Sequence, residues 1–175
     1  MLRNASPKFM RKEGVFRRAG TVEAALSDDR FSVQAISDLV HLPVGVLRLI
    51  YKAKGSDKMY LITDGLEFSA FDMNEGEEFT QKNGVKVVYE DEVMKLADRS
   101  CLAGSTANGA RLVRNMYKTI GVPLTEAVKM MTLTPARVIG VDSYKGKIAE
   151  GYDADIILFD ESVEVSSVMI NGKLA

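Results

Sequence analysis

Histidine and cysteine, the residues that most often carry metal and nucleophile chemistry, are nearly absent from this chain: His41 and Cys101 are the only ones in 175 residues. A single cysteine cannot close an internal disulfide, which fits a reducing compartment and leads to the expectation of a cytoplasmic protein. One histidine and one cysteine among scattered acids lack ligand spacing, so a zinc site made only of this chain's residues is not expected. There is no apolar run of roughly 18 residues, the length a membrane span needs. Internal repeats, low-complexity tracts and the Gly-x-Ser-x-Gly nucleophile elbow are missing as well. An excess of one charge is also lacking. Lysine and arginine total 23 against 24 acids, for a net charge of −1. Nothing at the whole-chain level therefore favours nucleic acid or an anionic membrane.

What remains is a chain of ordinary globular composition, 46% hydrophobic and 27% charged, long enough for one domain with a sizeable core. Its first twenty residues are basic, with Arg3, Lys8, Arg11, Lys12, Arg17 and Arg18 against Glu13. Pro7, Gly14 and Gly20 interrupt any amphipathic helix there, and no apolar targeting core is present. The segment reads as a solvated loop or as a loop facing phosphate.

Phe31–Ile36 alternates apolar and polar, and Lys58–Thr63 is a short apolar run ending at Asp64; both read as buried strands. Between them Pro43 can open a helix as its first residue, with Val46, Leu49, Ile50 and Ala53 on one face and Gly55 as its stop. Strand, helix and strand make a βαβ unit with parallel strands. Residues 65–100 read as a long excursion around one strand, Val85–Tyr89, with a turn at Asn83-Gly84. Two helices follow. The first has the face Val113, Met116, Tyr117, Ile120 and the second Leu124, Ala127, Val128, Met131. Asp155–Phe159 and Val163–Ile170 return to β structure, and only three residues remain after Gly172 to partner the last strand. A parallel pair of strands needs further strands beside it and cover on both faces, so the pattern reads as part of a larger sheet.

Three places invite chemistry. Asp64 sits at the C-terminal end of a buried strand, where βα folds gather functional side chains; it can be a general base, a metal ligand or a turn cap. His41 lies just past the first strand at the same edge, as a functional or a structural histidine. Leu102-Ala-Gly-Ser-Thr106 precedes a helix, where Gly104 allows close backbone approach and Ser105 or Thr106 can cap. The exposed N–H groups of such a turn suit a phosphate or sugar hydroxyl.

The string Lys145-Gly-Lys-Ile-Ala-Glu-Gly-Tyr-Asp-Ala-Asp-Ile-Ile-Leu-Phe-Asp160 resembles the segment in which amidohydrolases leave a (β/α)₈ barrel for a small β-sandwich. Asp38-Leu-Val-His-Leu-Pro43, Leu61-Ile-Thr-Asp64, Leu102-Ala-Gly-Ser105 and Leu133-Thr-Pro-Ala-Arg137 narrow the resemblance to the N-acetylglucosamine-6-phosphate deacetylases. Asn4-Ala5 and Arg11-Lys12-Glu13-Gly14 are similar to the loop after that family's sixth barrel strand. The resemblance implies an α/β fold, the C-terminal portion of a (β/α)₈ TIM barrel. Residues 1–140 would be partial barrel and 141–175 strands of the β-sandwich. It implies a hydrolase acting on the N-acetyl amide of N-acetylglucosamine 6-phosphate, aided by a divalent metal, zinc or similar, in a homodimer.

On the same resemblance Asp64 is the catalytic acid/base and a possible metal ligand, and His41, in the loop from Asp38, contacts the sugar phosphate. Asn4 and Ala5 serve the phosphate side with charge from Arg11 or Lys12, and Leu102, Ala103 and Gly104 line the sugar. The family's glutamate and two histidine ligands on earlier strands have no counterpart here, and Gly65-Leu-Glu-Phe-Ser departs from the family's small-residue loop. The chain alone is therefore expected to be inactive. The alternatives are a non-catalytic remnant that binds sugar phosphate or another subunit, and a different amidohydrolase such as a nucleobase deaminase or cyclic amidase. The Asp38–Pro43 and Leu102–Ser105 loops argue against the last.

Overall fold

The computed structural model describes residues 20–69 and 71–175, and the backbone of two short antiparallel strands, β1 (Lys12–Glu13) and β2 (Phe16–Arg17). The expected contacts of Asn4, Ala5 and Arg11, and of the Lys12 side chain, lie outside the described residues. After helix α1 (Thr21–Ser27) comes the βαβ unit: β3 (Val33–Ala35), α2 (Val44–Lys58) and β4 (Met59–Leu61). The strands pair in parallel with Val33 opposite Met59 and Ala35 opposite Leu61. Both are shorter than the apolar runs that announced them.

Pro43 is the residue before the first helical turn rather than the first within it. Its ψ of 153° is extended, and its carbonyl accepts from the N–H groups of Val46 and Leu47. The buried face of α2 is Leu47, Ile50 and Lys54, while Leu49 is 55% exposed and Ala53 is exposed. The expected Val46–Leu49–Ile50–Ala53 face is thus rotated. Apolar residues occur on more than one side of this helix, and packing against β4 and the later helices selects among them. Gly55 does stop the regular helix, at φ 59° and ψ −177°, a region that essentially only glycine enters. Lys54, although buried, donates from Nζ to the Asp28 carbonyl at 2.7 Å, tying α2 to the end of α1.

The excursion holds more strand than the sequence announced. β5 (Glu78–Thr80), β6 (Lys86–Glu90), β7 (Val93–Leu96) and β8 (Leu102–Ser105) form an antiparallel sheet in that order. The Asn83-Gly84 turn lies between β5 and β6 as expected, with Gly84 N–H donating to the Gln81 carbonyl at 2.8 Å. Val87, Val88, Val93 and Met94 are fully buried within this sheet.

Helix α3 (Gly109–Arg114) runs directly into a wider π-helical turn, Asn115–Ile120, ended by Gly121 at φ 86°. The expected face holds for Val113, Met116 and Ile120, all buried. α4 (Leu124–Met131) and α5 (Leu133–Val138) follow. Leu112, Met116, Ala127 and Met130 join Leu47, Ile50, Met59 and Leu61 in one core between these helices and the parallel pair. Each large side chain of this core contributes about 1.5–3 kcal/mol when buried.

The end of the chain is an antiparallel sheet of β9 (Ile156–Phe159), β10 (Val165–Ile170) and β11 (Lys173–Leu174), ordered β11-β10-β9. The last residues therefore do partner β10, through the Asn171-Gly172 turn. Among the described residues no helix is long and apolar enough to cross a membrane.

Candidate active site

Because β3 and β4 are parallel, the residues just beyond Ala35 and Leu61 emerge at the same edge of the sheet. Asp38 and His41 follow β3, and Asp64 follows β4. Asp38 is 1% exposed and organises its own loop. Its Oδ1 accepts the backbone N–H groups of Val40 (3.0 Å) and His41 (2.9 Å), which holds Leu39 at φ 70°. That left-handed value is uncommon for a branched side chain and persists where neighbours determine it. Asp38 Oδ2 lies 2.7 Å from His41 Nδ1.

Burial pushes the Asp38 carboxyl up, but hydrogen bonds from the His41 ring, the His41 backbone and the Ser105 hydroxyl outweigh it and bring the group down to about 2. At neutral pH Asp38 is therefore ionised and only accepts. Nδ1 of His41 must carry a proton, and the other ring nitrogen, Nε2, is the one available to a ligand. No described residue makes a hydrogen bond to Nε2.

Asp64 stands at φ 51°, exposed at the tip of the β4 edge. Its carbonyl accepts from Ser105 N–H at 3.2 Å, and Gly65 bridges to Ser105 in parallel, so β8 is docked beside the end of β4. Gly104 makes this approach possible. At φ 128° it is in glycine's territory, and a Cβ there would meet the Asp64 carbonyl and Leu66 Cγ, each at 3.0 Å. Ser69 Oγ donates to the Ser105 carbonyl at 3.1 Å, closing the loop after Asp64 onto the same strand. Beside it lies an open cavity of about 300 Å³ lined by Gly65, Leu66, Glu67, Gln81, Lys82 and Asn83.

Leu102-Ala-Gly-Ser105 is thus a strand that reaches the site rather than a loop opening a helix. Ser105 and Thr106 do not cap α3. The cap is Asn108, whose Oδ1 accepts from Arg111 N–H at 2.9 Å, while Thr106 Oγ1 donates to the Glu92 carbonyl at 2.7 Å. Two further residues at this edge escape a reading of the sequence. Ser37, fully buried, donates from Oγ to the Leu112 carbonyl at 3.1 Å, and its own carbonyl accepts from Asn115 Nδ2 at 2.8 Å. No motif marks Ser37 or Asn115, because both act across 75 or more residues of sequence.

Among the described residues no group of three or more His, Cys, Asp or Glu side chains converges, and the single exposed carboxylate of Asp64 does not make a binding site.

A parallel βαβ edge that carries an Asp–His pair beside an exposed aspartate is the kind of strand-end site that (β/α) barrels use. The Amidohydrolase family pattern matches residues 45–175, and the chain belongs to the amidohydrolase family, whose members are built on TIM barrels and are generally metal-dependent. Within it, the chain is similar to N-acetylglucosamine-6-phosphate deacetylase of Haemophilus influenzae, 32% identical over 90% of this chain and 40% of that protein. It is 33% identical to a putative N-acetylgalactosamine-6-phosphate deacetylase of Escherichia coli, covering 91% of this chain and 92% of that one. The crystal structure of N-acetylglucosamine-6-phosphate deacetylase from Pasteurella multocida superposes with a TM-score of 0.82 and 28% identity over 93% of this chain and 41% of that chain. The chain thus spans about two fifths of the length of the longer relatives it matches.

Proposed function

We propose that this chain is the C-terminal portion of an N-acetylglucosamine-6-phosphate deacetylase. Residues 1–140 form the last strands and helices of a (β/α)₈ barrel, and 141–175 contribute strands to a small β-sandwich. The observation that carries the reading is the common edge beyond parallel strands β3 and β4, where Asp38, His41 and Asp64 emerge next to β8. Relatives named as deacetylases of acetylated sugar phosphates cover about nine tenths of the chain.

In this reading Asp64 is the proton-transfer group. It accepts a proton from the attacking water and delivers it to the departing amine nitrogen, which needs an exposed carboxylate within hydrogen-bond reach. His41, fixed by Asp38, offers Nε2 to the substrate. Leu102, Ala103 and Gly104 line the sugar, and Asn4, Ala5 and Arg11 or Lys12 serve the phosphate, in a homodimer. The family's glutamate and two histidine metal ligands have no counterpart in this sequence, whose one histidine is His41, so the isolated chain is expected to release no acetate.

The test joins sequence and kinetics. The DNA upstream of Met1 is read for an in-frame glutamate and histidines, and the complete reading frame is assayed for acetate release. Asp64→Asn should lower kcat by about 10²–10⁴-fold with KM little changed, the scale of a lost general acid–base group. Undiminished turnover in that variant would sink the assignment. If instead a stop codon precedes Met1 and the chain binds glucosamine 6-phosphate without turnover, the non-catalytic binding reading takes its place. A second substrate, N-acetylgalactosamine 6-phosphate, belongs in the same assay, because the relative covered over 92% of its length carries that name.

A further inference from the structure

The edge of the sheet contains a clamp that the proposed chemistry does not itself require. The backbone segment Ser37–Asp38 leaves β3 buried on all sides, with Ser37 at 0% and Asp38 at 1% exposure. It is gripped twice by the helix opposite. Ser37 Oγ donates to the Leu112 carbonyl in the last turn of α3, and Asn115 Nδ2, at the first residue of the π-helical turn, donates back to the Ser37 carbonyl. From the other side Ser105 of β8 helps to lower the Asp38 carboxyl, and its Oγ accepts from Ala107 N–H at 3.1 Å.

Short π-helical turns inside α-helices recur at functional sites, where the added residue redirects a side chain. Here the widened turn begins at Asn115, the residue that reaches the strand end. The Ser37 carbonyl belongs to the peptide unit whose N–H is that of Asp38, so its orientation governs where the Asp38 carboxylate points.

We propose that Asn115 is a positioning residue for His41. It holds the Ser37–Asp38 peptide so that Asp38 grips Nδ1 and leaves Nε2 directed to the ligand. The inference deepens the sugar-phosphate reading and rests on it for the role of His41. The chain of contacts runs Asn115 Nδ2 to Ser37 carbonyl, across one peptide to Asp38, and through Oδ2 to the imidazole. Asn115 need not touch substrate.

His41 is the only histidine in the 175 residues, so the nitrogen-15 spectrum of the imidazole reports one residue without assignment. At a pH where the ring is neutral, the intact chain should show the Nδ1–H tautomer in excess. Asn115→Ala, which removes the donor, and Asn115→Asp, which replaces it with an isosteric acceptor, should each lower the Nδ1–H to Nε2–H ratio several-fold. The control is Thr134→Val. Thr134 is fully buried and its Oγ1 donates to the Ser56 carbonyl at 2.6 Å, a helix-to-backbone bond of the same kind on the N-terminal side of β4. It should lower Tm and leave the His41 tautomer unchanged. The proposal is overturned if both Asn115 variants keep the parent tautomer ratio. It is equally overturned if Thr134→Val, at a matched loss of Tm, shifts the ratio as much. The measurement uses no ligand, so its failure is distinct from a failure of the chain to bind or process sugar phosphate.

Discussion

At the scale of single residues, Asp38 and Gly104 have structural demands that can be measured. Asp38 titrates at about 2 in the fold against an ordinary 3.8, so its stabilisation is fully present above about pH 4 and is lost as pH falls through 2. A shift of that size corresponds to about 2 kcal/mol at neutral pH. Asp38→Asn should therefore lower the unfolding free energy by an amount of this order at pH 7. The gap from the parent should close as pH falls from about 4 through 2, as read by urea denaturation across that range. A gap independent of pH would mean that the charge is not what matters. Gly104→Ala meets both a positive φ and a Cβ contact of 3.0 Å with the Asp64 carbonyl. It should cost about 1–3 kcal/mol, seen as a lower Tm.

Among the elements, α2 illustrates how a local signal and a packed structure divide the work. Gly55 is legible as the stop, and at φ 59° with open space where a Cβ would stand it isolates backbone strain from steric clash. Gly55→Ala should therefore destabilise by about 1–3 kcal/mol through conformation alone, as measured by thermal unfolding. Asn83-Gly84 and Asn171-Gly172 are legible as turns for the same local reason. The buried face of α2 is not. Leu49 fits an apolar stripe but faces solvent, whereas Lys54 breaks the stripe and is buried because the Asp28 carbonyl receives its Nζ. Strand β8 has the sequence of a loop, because Leu102-Ala-Gly-Ser105 is too short and too rich in small residues to show alternation.

For the whole molecule, the parallel sheet of described residues has only β3 and β4, and among those residues β3 pairs with no other strand on its far side. The terminal sheet likewise leaves Ile157, Leu158, Ile170 and Leu174 between 49% and 75% exposed. Unpaired strand edges and bare apolar faces invite association. The chain on its own should form oligomers whose mass rises with concentration, measured by light scattering after gel filtration. A monodisperse monomer with one sharp thermal transition would contradict this.

The residue order by itself determined the βαβ unit, its glycine and proline boundaries, the position of Asp64 at a strand end and the family resemblance, because each is written in neighbours a few positions apart. The tertiary structure decided the site. His41 pairs with Asp38 from only three positions away, yet Ser105 adds to the hydrogen bonds that lower the Asp38 carboxyl, and Leu112 and Asn115 hold the neighbouring Ser37. Those groups meet only when β8 docks on β4 and the π-helical turn packs on β3. Contacts so distant in sequence leave no periodic trace; they arise from how buried polar groups find partners once the core has closed.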